Sequence, residues 1–365
     1  MGKYLKFLIL AVIGILILWF FGKSLNWAEV WQSLQKGNLL KLGAATAIIC
    51  LGYLLRAFRW QTLLAPITES SLRELFATTT VGFAAVFLFG RMGEVVRPLW
   101  LPLRDSRVRP SAALATIGIE RIFDLLAIIL LFAFNLLWFT APAGREAEFV
   151  VINRIGLLLV AAMTLGIIAL FIFQHFSDPI IRKTEQILSK SFVPTRLWQT
   201  FINLLHNLTA SLQVLRSWKG LTLTIFWTAA LWFSISLPTW LIITAFGLPF
   251  SFSQSLFVMG WATVGSLVPT PGGAAGAFHA TTSAALIWMN VNREDAAAVS
   301  IAMHLVYFAP ALFFGFYYFI RGDISWARLQ SLVIADKEAP DNSSENLQTQ
   351  KLRIENQELR KVSSN

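Results

Sequence analysis

The chain has 365 residues, of which 56% are apolar or aromatic and only 14% are charged, with a mean hydropathy of +0.62. Soluble domains are nearer half apolar and one quarter charged, so this composition excludes a soluble enzyme, a disordered chain and a disulfide-rich secreted domain. The formal charge of +10 would fit nucleic acid only if the cations shared a solvated face. Long uncharged stretches separate them instead, so we expect a multi-spanning protein whose cations face an anionic leaflet, with no nucleic-acid partner.

A helical crossing needs about 20 apolar residues. The first is 7–22, preceded by Lys3 and Lys6. It ends in Trp19-Phe20-Phe21 without a small-residue cleavage site, so it reads as an uncleaved span rather than a signal peptide. Residues 25–38 space Leu25, Trp27, Val30, Trp31 and Leu34 as a short interfacial helix. The second span is 42–64, with Arg56 and Arg59 at its far end. The apolar run 75–90 is short and leads directly into GRMGEVVRP. Residues 111–139 form a span that carries Glu120, Arg121 and Asp124, and 155–176 form the next. Residues 177–218 are polar with helical spacing and read as amphipathic surface helices.

From Gly220 to Asn292 there are 73 residues without Asp, Glu, Lys or Arg. Residues 220–246 form an ordinary span. The next apolar stretch is broken: 252–268, then PTPGG, then 277–290. The last span is 296–320, and the chain turns hydrophilic after Arg321. The expected domains are a membrane domain over 1–321 and a cytoplasmic tail over 322–365.

Basic residues mark the cytoplasmic side. The N-terminus, 56–74, 91–109, 177–219 and Arg321 hold 17 basic residues, against six in the opposite segments. Both termini are therefore expected in the cytoplasm. That topology requires 75–103 and 252–290 to be re-entrant hairpins, whose irregular tips are tolerated only inside protein or a wet cavity. The expected fold is an all-α polytopic membrane protein with about six full transmembrane helices and two re-entrant helical hairpins. The two halves repeat the same order of elements from opposite sides, the layout of an inverted repeat with a midplane site.

Three clusters could carry chemistry. In the first, Arg91, Glu94 and Arg97 are three apart and share one side of a helical turn. They read either as an anion site with planar arginine forks or as a hairpin stapled by an ion pair. In the second, Glu120 and Asp124 are i and i+4 with Arg121 beside them. Two such carboxylates repel unless a cation sits between them, and an arginine from the first hairpin would serve. The bland reading is a buried structural network. The third is the glycine-rich turn with Pro271, Gly272 and Gly273, followed by a helix start that offers N–H groups to an anion, or else a plain turn.

His279 and His304 are intramembrane candidates for protonation, although a packed core imidazole is the simpler role for each. Four scattered histidines and one cysteine, Cys50, give no metal site, and no disulfide forms from a single cysteine. No catalytic residue and no cofactor are expected. Trp19, Trp27, Trp31 and Trp60 read as membrane-surface anchors.

Arg56-Ala57-Phe58-Arg59-Trp60, GRMGEVVRP followed by IERIFD, and PTPGGAAGAFH together resemble the flippase-like family also described as the transmembrane region of lysylphosphatidylglycerol synthases. The resemblance covers residues 5–320. It implies a polytopic domain that moves, or helps to move, phospholipid head groups between leaflets; the expected place is a bacterial inner membrane, with an organellar one as the alternative. Arg91, Arg97 and Arg121 would hold the phosphate. Glu94, Glu120 and Asp124 would orient those arginines or receive a cationic head group. Where the family often has a glutamate after its proline–glycine turn, this chain has His279, which alters the charge balance there.

The full-length synthases add a soluble aminoacyl-transferase domain. The hydrophilic stretches 177–218 and 321–365 are too short to be one, so the enzymatic half of the family name is not carried over. Two other readings stay open: a membrane-embedded lipid or polyprenyl transferase, and an accessory subunit of a lipid-modifying enzyme. A homo-oligomer or such an enzyme would be the protein partner.

Overall fold

The structure is a computed structural model that describes residues 3–189, 202, 205, 209 and 217–322. Most of the segment 190–216, and the tail from 323 onward, lie outside the described residues. Every regular element among those described is helical, as the expected all-α polytopic architecture requires. In chain order they are α1 (Lys3–Gly22), α2 (Trp27–Gln35), α3 (Leu39–Leu64) and α4 (Leu72–Phe89), then a 3-10 turn (Gly90–Val95) and α5 (Val96–Arg104). There follow α6 (Pro110–Leu136), α7 (Glu146–His175), α8 (Ser177–Ser189) and α9 (Trp218–Ala245). The last three are α10 (Phe252–Ser266), α11 (Ala275–Trp288) and α12 (Arg293–Ile320).

Five described helices, α3, α4, α7, α9 and α12, are long and apolar enough to cross a membrane. The charged trio Glu120, Arg121 and Asp124 keeps the 27-residue α6 out of that set. The second half of α1 and the short α2 meet at 86°, so α2 turns across the end of the first span.

Local sequence fixes where several helices start. Asn38, Ser71, Ser217 and Asn292 each cap the helix that follows with a side-chain oxygen, and Ser251 with Gln254 forms a full capping box. These caps satisfy N–H groups that lipid cannot. They also explain why α3, α4, α9 and α12 begin a few residues before the apolar runs that mark them in the sequence.

Two helical hairpins organise the fold. In the first, α4 has 18 residues and rises about 27 Å, and the 3-10 turn plus α5 come back about 25 Å. Arg104 at the end of α5 pairs with Glu74 in the first turn of α4, so both ends lie at one level. The arms touch closely, since a Cβ on Gly93 would sit 2.3 Å from the Ala85 carbonyl carbon. In the second, Gly265 of α10 lies against the Ala277 carbonyl of α11. At its base Phe257 stacks on Trp288 with ring centroids 5.0 Å apart.

The two tips meet. Gly273 donates its N–H to the Phe87 carbonyl at 2.9 Å, and Gly90, with φ +65, lies against the Thr270 carbonyl. α12 runs past both hairpins like a ruler. Its N-terminal half follows α11, with Ser283 bonded to the Ala296 carbonyl and His279 beside Ser300. Its C-terminal half follows α4, with Gly315 against Thr80 and Tyr318 against Phe76. The tip junction falls at His304 to Phe308, near the middle of α12. The hairpins therefore approach from opposite ends of one span. Neighbour relations repeat as an inverted repeat requires: α3 packs on α4 and α9 on α10, α5 on α6 and α11 on α12, and α3 packs on α9.

Candidate functional site

α3 and α6 bring the charges inside. Arg56 and Arg59 are three apart on α3, and Glu120, Arg121 and Asp124 share a turn of α6. Arg59 is fully buried and donates to both Asp124 oxygens, at 2.6 and 3.2 Å, with Glu120 at 4.0 Å. Arg97, entering from α5, donates to Glu120 at 2.8 Å and lies 4.4 Å above the Trp60 ring. Its side chain passes over Gly82, where a Cβ would sit 2.1 Å from Arg97 Cγ. Only a glycine leaves room for that arginine. The cation between the two carboxylates is thus Arg59 of α3, while the first hairpin's Arg97 is the hydrogen-bond partner of Glu120.

In front of this network, beneath the two tips, lies a cavity of about 490 Å³, within the range of small-molecule sites. Arg56 and Tyr53 of α3, Glu94 of the 3-10 turn, and Arg121 and Asp124 of α6 line it. So do Thr263 and Ser266 of α10, Thr270 and Gly273 of the second tip, and Tyr307 of α12, whose carbonyl accepts from the Tyr53 hydroxyl at 2.9 Å. The Arg56 guanidinium lies 4.6 Å from the centre of the Phe83 ring, and no carboxylate among the described residues is within ion-pair distance of it. Arg121 is 3.7 Å from Asp124, beyond hydrogen-bond range.

Of the residues singled out in the sequence, Glu94, Arg121, Asp124 and Gly273 line the cavity. Arg97 and Glu120 are buried behind its wall. The backbone of Arg91 belongs to the 3-10 turn, and its side chain lies outside the described residues. Pro271 and Gly272 shape the tip, where Gly272, Gly273 and Ala274 all take left-handed backbone angles. The start of α11 is covered by α1, because Gly276 abuts the Gly14 carbonyl. His279 is buried away from the cavity, beside Ser300 and stacked on Phe21, with its ring 4.9 Å from that of His304. Trp60 is fully buried and is no surface anchor, because it roofs Arg97. Trp19, Trp27 and Trp31 are exposed.

The residues missed as site members are Arg56, Arg59, Tyr53, Thr263, Ser266 and Tyr307. Arg56 and Arg59 carried a usable signal: two arginines three apart inside an apolar span must face the bundle interior. The hydroxyl residues carried none, since such residues occur throughout these helices.

A helical membrane protein whose opposed hairpins meet over a buried arginine–carboxylate network is the class these features define. The family model described as the lysylphosphatidylglycerol synthase TM region matches residues 6–315. The chain belongs to that family, a membrane domain associated with lipid metabolism. No curated protein sequence matches it.

Proposed function

We propose that the protein passes a phospholipid head group between leaflets through the cavity beneath the hairpin tips while the acyl chains stay in the bilayer. The observation that carries this reading is a charged cavity at the midpoint of a membrane-spanning helix, faced by Arg56, which has no carboxylate partner among the described residues. Ionised groups at such depth mark substrate paths, and helices broken at matching places in two halves frame the site in many transporters. The phosphate meets Arg56 and Arg121, and the arginines behind them hold the wall. The excess of basic residues in one set of loops supports a topology with both termini in the cytoplasm, and the proposed membrane is a bacterial inner one. A transferase reading has less support, because Glu120 and Asp124 are both occupied by arginines rather than open to a metal–phosphate centre.

The test is leaflet exchange of a labelled phospholipid in reconstituted vesicles. Arg56→Ala should reduce protein-dependent exchange at least about tenfold, the scale of a lost charge-assisted hydrogen bond, in a protein that remains monodisperse. Arg56→Lys should retain part of it. Exchange at the full rate in Arg56→Ala would remove the proposed path.

A further inference from the structure

The four buried or half-buried arginines at the site do not play equal parts. Arg59 and Arg97 stand behind the cavity wall and occupy both oxygens of Asp124 and of Glu120 respectively. Arg56 and Arg121 face the cavity, and among the described residues neither has a carboxylate within hydrogen-bond distance. Glu94, the other carboxylate on the wall, already has an interaction of its own. The described charges are thus four arginines against three carboxylates, and the surplus is at the cavity surface. A surplus cation in a low-dielectric slab is costly unless a counterion reaches it.

From this ledger we infer that the ligand is a head group of net negative charge without an ammonium, the class of phosphatidate and phosphatidylglycerol. The inference rests on the lipid-passage reading above and narrows it. One face of the Arg56 guanidinium is covered by Phe83 at 4.6 Å, which holds the group as a rigid fork with its N–H edge available to two phosphate oxygens. An ammonium entering the same space would meet Arg56 and Arg121 as like charges. It would find Asp124 already bidentate to Arg59. The cavity's threonine and serine hydroxyls do not compensate: Thr263 and Ser266 donate to the carbonyls of Met259 and Thr263 on their own helix, and the Thr270 hydroxyl, though without a partner among the described residues, brings no charge.

The experiment uses the full chain in vesicles of neutral carrier lipid, with trace phosphatidate, phosphatidylglycerol or phosphatidylethanolamine labelled on the acyl chain. The two anionic lipids should exchange at least about tenfold faster than the zwitterionic one. Arg56→Gln and Arg121→Gln should each shrink that ratio to about threefold or less. A ratio near one in the unaltered protein, or an unchanged ratio in both variants, overturns the inference.

Thermal stabilisation of the detergent-purified protein separates the inference from the passage reading. Short-chain phosphatidylglycerol should raise the unfolding temperature, and short-chain phosphatidylethanolamine should not. That selectivity without any exchange would sink passage and leave the ligand class standing, whereas equal exchange of all head groups would do the reverse. Inorganic phosphate is the remaining arm. If it stabilises at the same concentration as the short-chain lipid, the ligand is a free anion rather than a lipid, and the assignment falls.

Discussion

Glu120 is the residue on which the buried network turns. Arg97 donates to it at 2.8 Å and Arg59 lies at 4.0 Å, and all three side chains are almost wholly buried. Neutralising it leaves the buried Arg97 guanidinium without its carboxylate, while Arg59 keeps Asp124. Glu120→Gln should therefore destabilise the protein by about 3–5 kcal/mol, the usual cost of breaking a buried pair from one side. The check is the unfolding midpoint of the purified protein in detergent. The double variant Glu120→Gln/Arg97→Met should recover part of the loss, since it removes the stranded charge. An unchanged midpoint in Glu120→Gln would mean that the pair contributes nothing. At this scale the sequence was half legible. The i, i+4 spacing of Glu120 and Asp124 already demanded a cation between them. The identity of that cation was not legible, because Arg59 reaches Asp124 from 65 residues away and no local periodicity encodes such a contact. Trp60 misled for the same reason: a tryptophan near a span end usually sits at the interface, but here its ring N–H donates to the Thr116 hydroxyl at 3.0 Å and Arg97 covers its face.

The first hairpin depends on two glycines doing different things. Gly90 combines a left-handed backbone, φ +65, with a close approach to the Thr270 carbonyl of the other tip. Gly93 has no such angle, but a Cβ there would sit 2.3 Å from the backbone of Ala85 and Val86 on the outgoing arm. Gly93→Ala should push the turn away from α4, lowering stability by more than about 1–3 kcal/mol, the range for overpacking. Leaflet exchange should fall with it, since Glu94 moves with the turn. Gly118→Ala is the control: it lies inside α6 with nothing within 4 Å, so it should be neutral or gain about 0.5–1 kcal/mol from helix propensity. Equal behaviour of the two alanines in a thermal melt would contradict the packing of this hairpin. The glycines and prolines at both tips announced the breaks, and the apolar runs announced the arms. What the run lengths could not give was the tip-to-tip contact, which depends on backbone groups of two segments far apart in sequence, Phe87 with Gly273 and Gly90 with Thr270.

On the scale of the molecule, α12 turns these contacts into a statement about depth. Its 28 residues span about 42 Å, close to a bilayer with its head-group regions, and the tips meet at its middle. The base of the first hairpin, Glu74 with Arg104, then belongs at one surface, and the base of the second, near Ser251 and Asn290, at the other. This is open to a direct measurement. With Cys50 replaced by serine, single cysteines at Glu74, Arg104, Ser251 and Asn290 can be probed with a membrane-impermeant thiol reagent from either side of sealed vesicles. Glu74→Cys and Arg104→Cys should react from the same, cytoplasmic face. Ser251→Cys and Asn290→Cys should react only from the other. A cysteine at Thr263, on the cavity wall, should react slowly from both faces and faster with a small reagent than with a bulky one. If Glu74→Cys and Arg104→Cys label from opposite sides, α4 and α5 cross the membrane, the tips no longer meet at mid-depth, and the cavity loses the position on which the proposed path rests.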